Sequence, residues 1–245
     1  MTGAATANEL MIRRDGVVSE LVLSRPAKAN ALSGTLVEAL LAAVAGAASE
    51  GTRLLVIRGE GKNFCAGFDF ADLDSQSDGD LLHRFIRTEL LLQAIYHCPI
   101  ATLALCHGGT YGAGADIVAA CDRRIAAPDT RIRMPGLRFG VALGTRRLKE
   151  RIGADKALEI QGSSRTFAAE EAHQIGFIEA VAEQATWPDS VRAIAASQKL
   201  SATAHATLKS RVLTDTREAD LAALALSASE PGLKARIKAF RDALQ

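Results

Sequence analysis

Apolar residues along this chain recur with two alternating periods. Residues 9–14 and 17–24 carry the two-residue spacing of strands, joined across Asp15-Gly16, a pair suited to a tight hairpin. Arg25-Pro26 ends the second run. Ser33 is a good N-cap, and apolar positions then fall at helical spacing over 34–49 until Gly51. Leu54-Leu55-Val56-Ile57 is a continuous apolar run, the pattern of a strand covered on both faces. Polar residues dominate 72–80 and predict a loop. A helix over 80–97 stops before Pro99, and Ile100 to Cys106 reads as a second covered strand. The pattern then predicts a helix to about Cys121, strands at 123–127 and 131–134, helices through 145–175, and a last strand over Phe177 to Val181. From Trp187 onward it is helical, broken at Pro231-Gly232. Alternating strands and helices predict an α/β core over residues 1–185. The helical region 186–245 is too short for its own core and is expected to pack on the main domain or a neighbouring subunit. Residues 1–8 read as a disordered tail.

Composition narrows the function. With 245 residues, 48% of them hydrophobic, the chain can bury a large core. A net charge of +1 without long basic blocks argues against nucleic acid or an acidic membrane as the main partner. Cys65, Cys98, Cys106 and Cys121 form no C-x-x-C pair and have no His at zinc-ligand spacing. They read as small buried apolar residues, and no metal is expected. The first residues lack a basic region followed by an apolar run, and no stretch is long enough to span a bilayer, so a cytoplasmic protein is expected.

Two glycine-containing turns stand out. One reads Phe64-Cys65-Ala66-Gly67-Phe68-Asp69, the other His107-Gly108-Gly109-Thr110-Tyr111-Gly112-Ala113-Gly114-Ala115-Asp116. Each follows an apolar strand, and small residues there let backbone N–H groups approach a ligand closely. Two N–H groups converging on one point form an oxyanion hole, suited to the charge that develops on a thioester carbonyl.

These segments resemble the crotonase family, the enoyl-CoA hydratase/isomerase superfamily, over nearly the whole chain. Arg25-Pro26 with Asn30-Ala31-Leu32 is similar to its early motif, and the two glycine turns to its paired oxyanion turns. Cys121-Asp122 with Arg124, Met134-Pro135, Gly144-Thr145-Arg146-Arg147-Leu148 and Ala168 to Ala172 with Ile175 to Ile178 follow in the family's order. The resemblance implies a crotonase-like spiral of ββα units with a helical C-terminal trimerisation region, as a homotrimer or dimer of trimers. It implies an acyl-CoA substrate, with no cofactor beyond the CoA that the substrate carries. The N–H donors would be Phe68 and Ala113, with Ala66, Gly67 and Gly112 shaping the site. The first catalytic carboxylate falls on Asp116, one methylene shorter than the usual Glu, and the second on Gly136, which cannot move a proton.

Residues considered as substitutes or substrate contacts are Asp69, His83, Arg87, Glu89 and Arg138, with Lys28 placed to reach a phosphate. Two other readings remain open from sequence: a non-catalytic acyl-CoA binder on the same scaffold, and an NAD(P)-dependent short-chain dehydrogenase. The second rests on Gly108, Gly112 and Gly114 lying between strand and helix. Against it, the turn lies mid-chain and no Tyr-x-x-x-Lys follows.

Overall fold

Fully apolar strands set the centre of the molecule. The computed structural model describes residues 9–243; the tail expected over residues 1–8 lies outside them. In chain order the strands are Leu10–Asp15 (β1), Val18–Leu23 (β2), Leu54–Gly59 (β3), Ala101–Cys106 (β4), Gly109–Tyr111 (β5), Arg123–Ala126 (β6), Arg131–Arg133 (β7), Phe167–Ala168 (β8) and Ala180–Val181 (β9). The helices are Gly34–Ala47 (α1), Asp78–Tyr96 (α2), Ala113–Ala120 (α3), Thr145–Ile152 (α4), Ala154–Ser163 (α5), Ala169–Gln174 (α6), Trp187–Ser197 (α7), Ala202–Val212 (α8), Arg217–Ser229 (α9) and Leu233–Asp242 (α10).

The main sheet has the order β1-β2-β3-β4-β6-β9. Only the β1–β2 hairpin is antiparallel, with Asp15 opposite Val18 and Gly16 turning at φ +55°. The remaining pairs are parallel, as expected where helices carry the chain back between strands. A smaller sheet, β5-β7-β8, stands beside it.

Strand alternation sends neighbouring side chains to opposite faces. Leu55, Ile57, Ala104 and Cys106 face the large core under α1, α2 and α3. Leu54, Val56, Leu103 and Leu105 face a second core closed by Trp187, Val191 and Ile194 of α7. This double burial is why the β3 sequence reads as an unbroken apolar run. A third cluster joins Leu81 and Phe85 of α2 to Leu224 and Ala228 of α9 and Leu233 and Ile237 of α10.

Some elements differ from the sequence expectation. The polar stretch 72–80 contains the start of α2: Ser77 and Asp80 form a reciprocal capping box, so the helix begins at Asp78. The second glycine turn contains a short strand, β5, which pairs with β7. The last strand shrinks to Ala180–Val181, while Phe177 and Ile178 bury their side chains in the main core. All four cysteines are free and buried, and burial pushes the Cys65, Cys106 and Cys121 thiols up to about 12. Among the described residues no helix is long and apolar enough to cross a membrane.

Candidate active site

The first glycine turn is held by the early motif. Asn30 adopts φ +55° and is fully buried. Its Nδ2 donates to the carbonyls of Glu60 (2.9 Å) and Asn63 (2.8 Å), and its Oδ1 accepts from Arg25 N (2.8 Å). Three backbone bonds then strap the turn down: Ala66 N to Ala29 O, Leu32 N to Gly67 O and Asp69 N to Leu32 O. Phe68 lies between the last two, and among the described residues its own N–H donates to no backbone carbonyl.

The second turn lies directly against the first. Tyr111 N donates to Cys65 O (2.9 Å) and Cys65 N to Gly109 O (3.2 Å). The contact demands glycine at two positions. A Cβ at Gly67 would lie 2.6 Å from Tyr111 O and 3.2 Å from Ala113 N, and one at Gly114 would lie 2.5 Å from Cys65 O. Gly67 also sits at φ +86°, where a side chain is strained. The Ala113 N–H, first in α3, has no acceptor inside its helix. That 3.2 Å approach puts the nitrogens of Phe68 and Ala113 within about 6.5 Å of each other by backbone geometry.

Both residues line a cavity of about 470 Å3. Its walls are mainly apolar: Phe68, Phe70, Phe85, Phe139, Phe240, Leu137, Val141 and Leu143. Phe68 stacks on Phe85 with centroids 4.1 Å apart. Asp116 is the only carboxylate among the lining residues and Arg133 the only cation. Asp116 is 3% exposed, and its Oδ1 has no hydrogen-bond partner. Burial pushes its carboxyl well above the ordinary range, with Arg147 opposing the shift and Glu89 adding to it.

Two glycines shape the surroundings of Asp116 and the cavity. Gly144 takes φ +67°, and a Cβ there would fall on the Asp116 carboxyl. Gly136 also lines the cavity; a Cβ there would meet Val141 O at 2.9 Å, because Val141 N closes a turn onto Gly136 O (3.0 Å). The short 136–141 segment therefore leaves no room for a carboxylate at position 136.

Ala66 and Gly112 line the cavity too. The other candidates sit elsewhere. Asp69 is outside it, with Oδ2 paired to Arg25 Nη1 (2.9 Å) and Oδ1 accepting from Ala71 N. Arg87 pairs with Glu38 (2.5 Å) beside His83 on the outer side of α2. Lys28 is exposed in the turn whose next residue, Ala29, holds Ala66. Arg138 is exposed, its guanidinium 5.8 Å from the Phe240 ring centroid. Glu89 is buried in an ion pair with Arg147. His107 bonds Gly61 O through Nε2 (2.9 Å), ordering the turn.

Sequence reasoning did not find the Arg147–Glu89 pair or the contribution of Phe139 and Phe240 to the cavity. The pair joins residues 58 positions apart, and no local pattern marks it.

A family model described as enoyl-CoA hydratase/isomerase matches residues 13–231. A Bacillus subtilis protein named "Probable enoyl-CoA hydratase" is 34% identical over 178 residues, covering 70% of this chain and 68% of that protein. A Mycobacterium leprae protein of similar name is 32% identical over 192 residues, covering 74% and 75%. A solved structure from Bordetella parapertussis, described as a "putative enoyl-CoA hydratase/isomerase", is 50% identical and superposes with a TM-score of 0.94 over 96% of this chain and 99% of that one. An enoyl-CoA hydratase structure from Bacillus halodurans, 22% identical, shares the fold at a TM-score of 0.83 over 95% and 100%.

Proposed function

The chain belongs to the enoyl-CoA hydratase/isomerase family, and from that premise we propose that it is an acyl-CoA enzyme with a single proton-moving group. The thioester oxygen rests between the N–H groups of Phe68 and Ala113, and Asp116 transfers the proton. No nicotinamide is needed, and CoA enters only as part of the substrate. The observation that carries this reading is the lone carboxylate: Asp116 lines the cavity and position 136 is a glycine in a closed turn.

A thioester α-proton is weakly acidic. Two N–H donors aimed at the oxygen stabilise the enolate, and one such donor is worth about 3–4 kcal/mol in comparable sites. The N-terminal end of α3 adds positive potential at the same place. A carboxylate whose pKa is raised is a stronger base at neutral pH, which suits it to this proton.

Hydration across a double bond asks for one group to activate water and another to protonate carbon. One carboxylate suits a different reaction. Asp116 takes a proton from Cα, the enolate spreads along an unsaturated acyl chain, and the same carboxyl returns the proton at Cγ. The double bond moves and nothing is added or lost.

The test is a panel of 2-enoyl, 3-enoyl and saturated acyl-CoA thioesters followed by mass spectrometry and chromatography. The reading expects 3-enoyl substrates to convert to isomers of unchanged mass, with Asp116→Asn binding them but not converting them. Efficient addition of water by the parent enzyme, or full turnover by Asp116→Asn, contradicts it. Tight thioester binding without any turnover in the parent supports the binder alternative, which the missing second carboxylate also favours.

A further inference from the structure

A buried charge network stands behind Asp116, and the proposed mechanism does not use it. Arg147 is on the first turn of α4, three residues after the Gly144 that abuts the Asp116 carboxyl. It is 3% exposed and pairs with Glu89 of α2, which is 1% exposed. Gln93 Nε2 donates to the other Glu89 oxygen (2.9 Å). The far side of Arg147 reaches Asp220 of α9 (3.4 Å), itself held by Arg146 (2.8 Å) and Thr216 Oγ1 (2.7 Å).

Two polar atoms in this region are buried without partners: Asp116 Oδ1 and Arg147 Nε. Isolating two charged groups from water is costly unless each is paired. Here Arg147 has a partner of its own and still leaves one donor open. The charged groups around Asp116 are Glu89 from α2 and Arg147 from α4, with Arg133 of β7 lining the same cavity and Tyr111 of β5 as the other titratable lining residue. α3 itself carries no second charge.

We propose that Arg147 and Glu89, a buried pair beginning one turn beyond the glycine that abuts Asp116, are positioning residues whose opposed charges tune the proton affinity of that carboxyl, with Asp220 holding Arg147 in place from the C-terminal region. The inference rests on Asp116 being the proton-moving group. Arg147 favours the carboxylate and Glu89 the acid, while burial, the larger effect, favours the acid.

The test is a 13C NMR titration of the aspartate carboxyls in the intact protein, with Asp116→Asn used for assignment, beside the pH–rate profile on the best thioester. Glu89→Gln removes a negative neighbour and is expected to move the Asp116 midpoint to lower pH. Arg147→Met removes a positive neighbour and is expected to move it to higher pH. Each shift should be at least about half a pH unit, since neighbouring charges in a buried site are only weakly screened. The double variant, which leaves neither member of the ion pair alone, should fold even where Arg147→Met does not, and should return the midpoint toward that of the parent.

A purely structural pair would lower stability without opposed shifts. Midpoints that stay fixed, or that move in the same direction in both single variants, overturn the inference. If Asp116→Asn abolishes turnover while the midpoints stay fixed, the proposed function stands and only this inference fails. If Asp116→Asn turns over normally, the functional reading fails instead.

Discussion

Asp116 sits where burial opposes its charged form. Its carboxyl is buried with one oxygen unpartnered, between an apolar cavity and the backbone of Gly144. In the unfolded chain it ionises in the ordinary carboxylate range; in the folded chain burial holds the proton to higher pH. Below the unfolded value both states are protonated, and the group adds no pH dependence. As pH rises between the two values, unfolding releases a proton and stability falls. Asp116→Asn should therefore melt at a higher temperature than the parent at pH 8, with the difference shrinking toward pH 4 in thermal denaturation across that range. The position of Asp116 could be read from sequence through the family resemblance, whose first carboxylate falls on it. Its isolation could not, because that depends on Gly144 and on α2 and α4, elements far apart in the chain.

At the scale of elements, the site is a meeting of two turns, each held by something other than itself. Asn30 pins the first through three side-chain hydrogen bonds, two of them to part-buried carbonyls of the chain leading into Phe64. Asn30→Ala should cost roughly 2–4 kcal/mol in urea unfolding, since buried backbone groups lose their partners and Ala fits φ +55° poorly. Activity should fall with it, because the Phe68 turn loses its anchor. The Asp15-Gly16 hairpin, the Ser33 cap and the covered strands were legible because each depends on a few adjacent residues. The strand β5 was not: three residues between glycines carry no period, and only pairing with β7 makes them a strand. The start of α2 was hidden for a similar reason, since Ser77 and the acidic residues after it look like loop until the capping box is seen.

At the scale of the molecule, the last helix, α10, adds a wall to the cavity. Asp78 of α2 caps α10 by accepting from the N–H groups of Gly232, Leu233 and Lys234. Leu233 and Ile237 are fully buried against α2, and Phe240 walls the cavity. The sequence showed that this region could not fold alone, but not which face it would cover. Ending the chain after Ser229 should cost roughly 3–6 kcal/mol from the two buried side chains, read as a lowered urea midpoint. It should also weaken discrimination among acyl chains by removing the Phe240 wall.

The proposed formation of an enolate at Asp116 is tested most directly by α-proton exchange. A saturated acyl-CoA incubated with the enzyme in D2O is followed by 1H NMR at its α-carbon. Deuterium should enter there with the parent protein and not with Asp116→Asn, while both bind the thioester. Equal exchange in the two proteins, or none in the parent despite binding, contradicts the account.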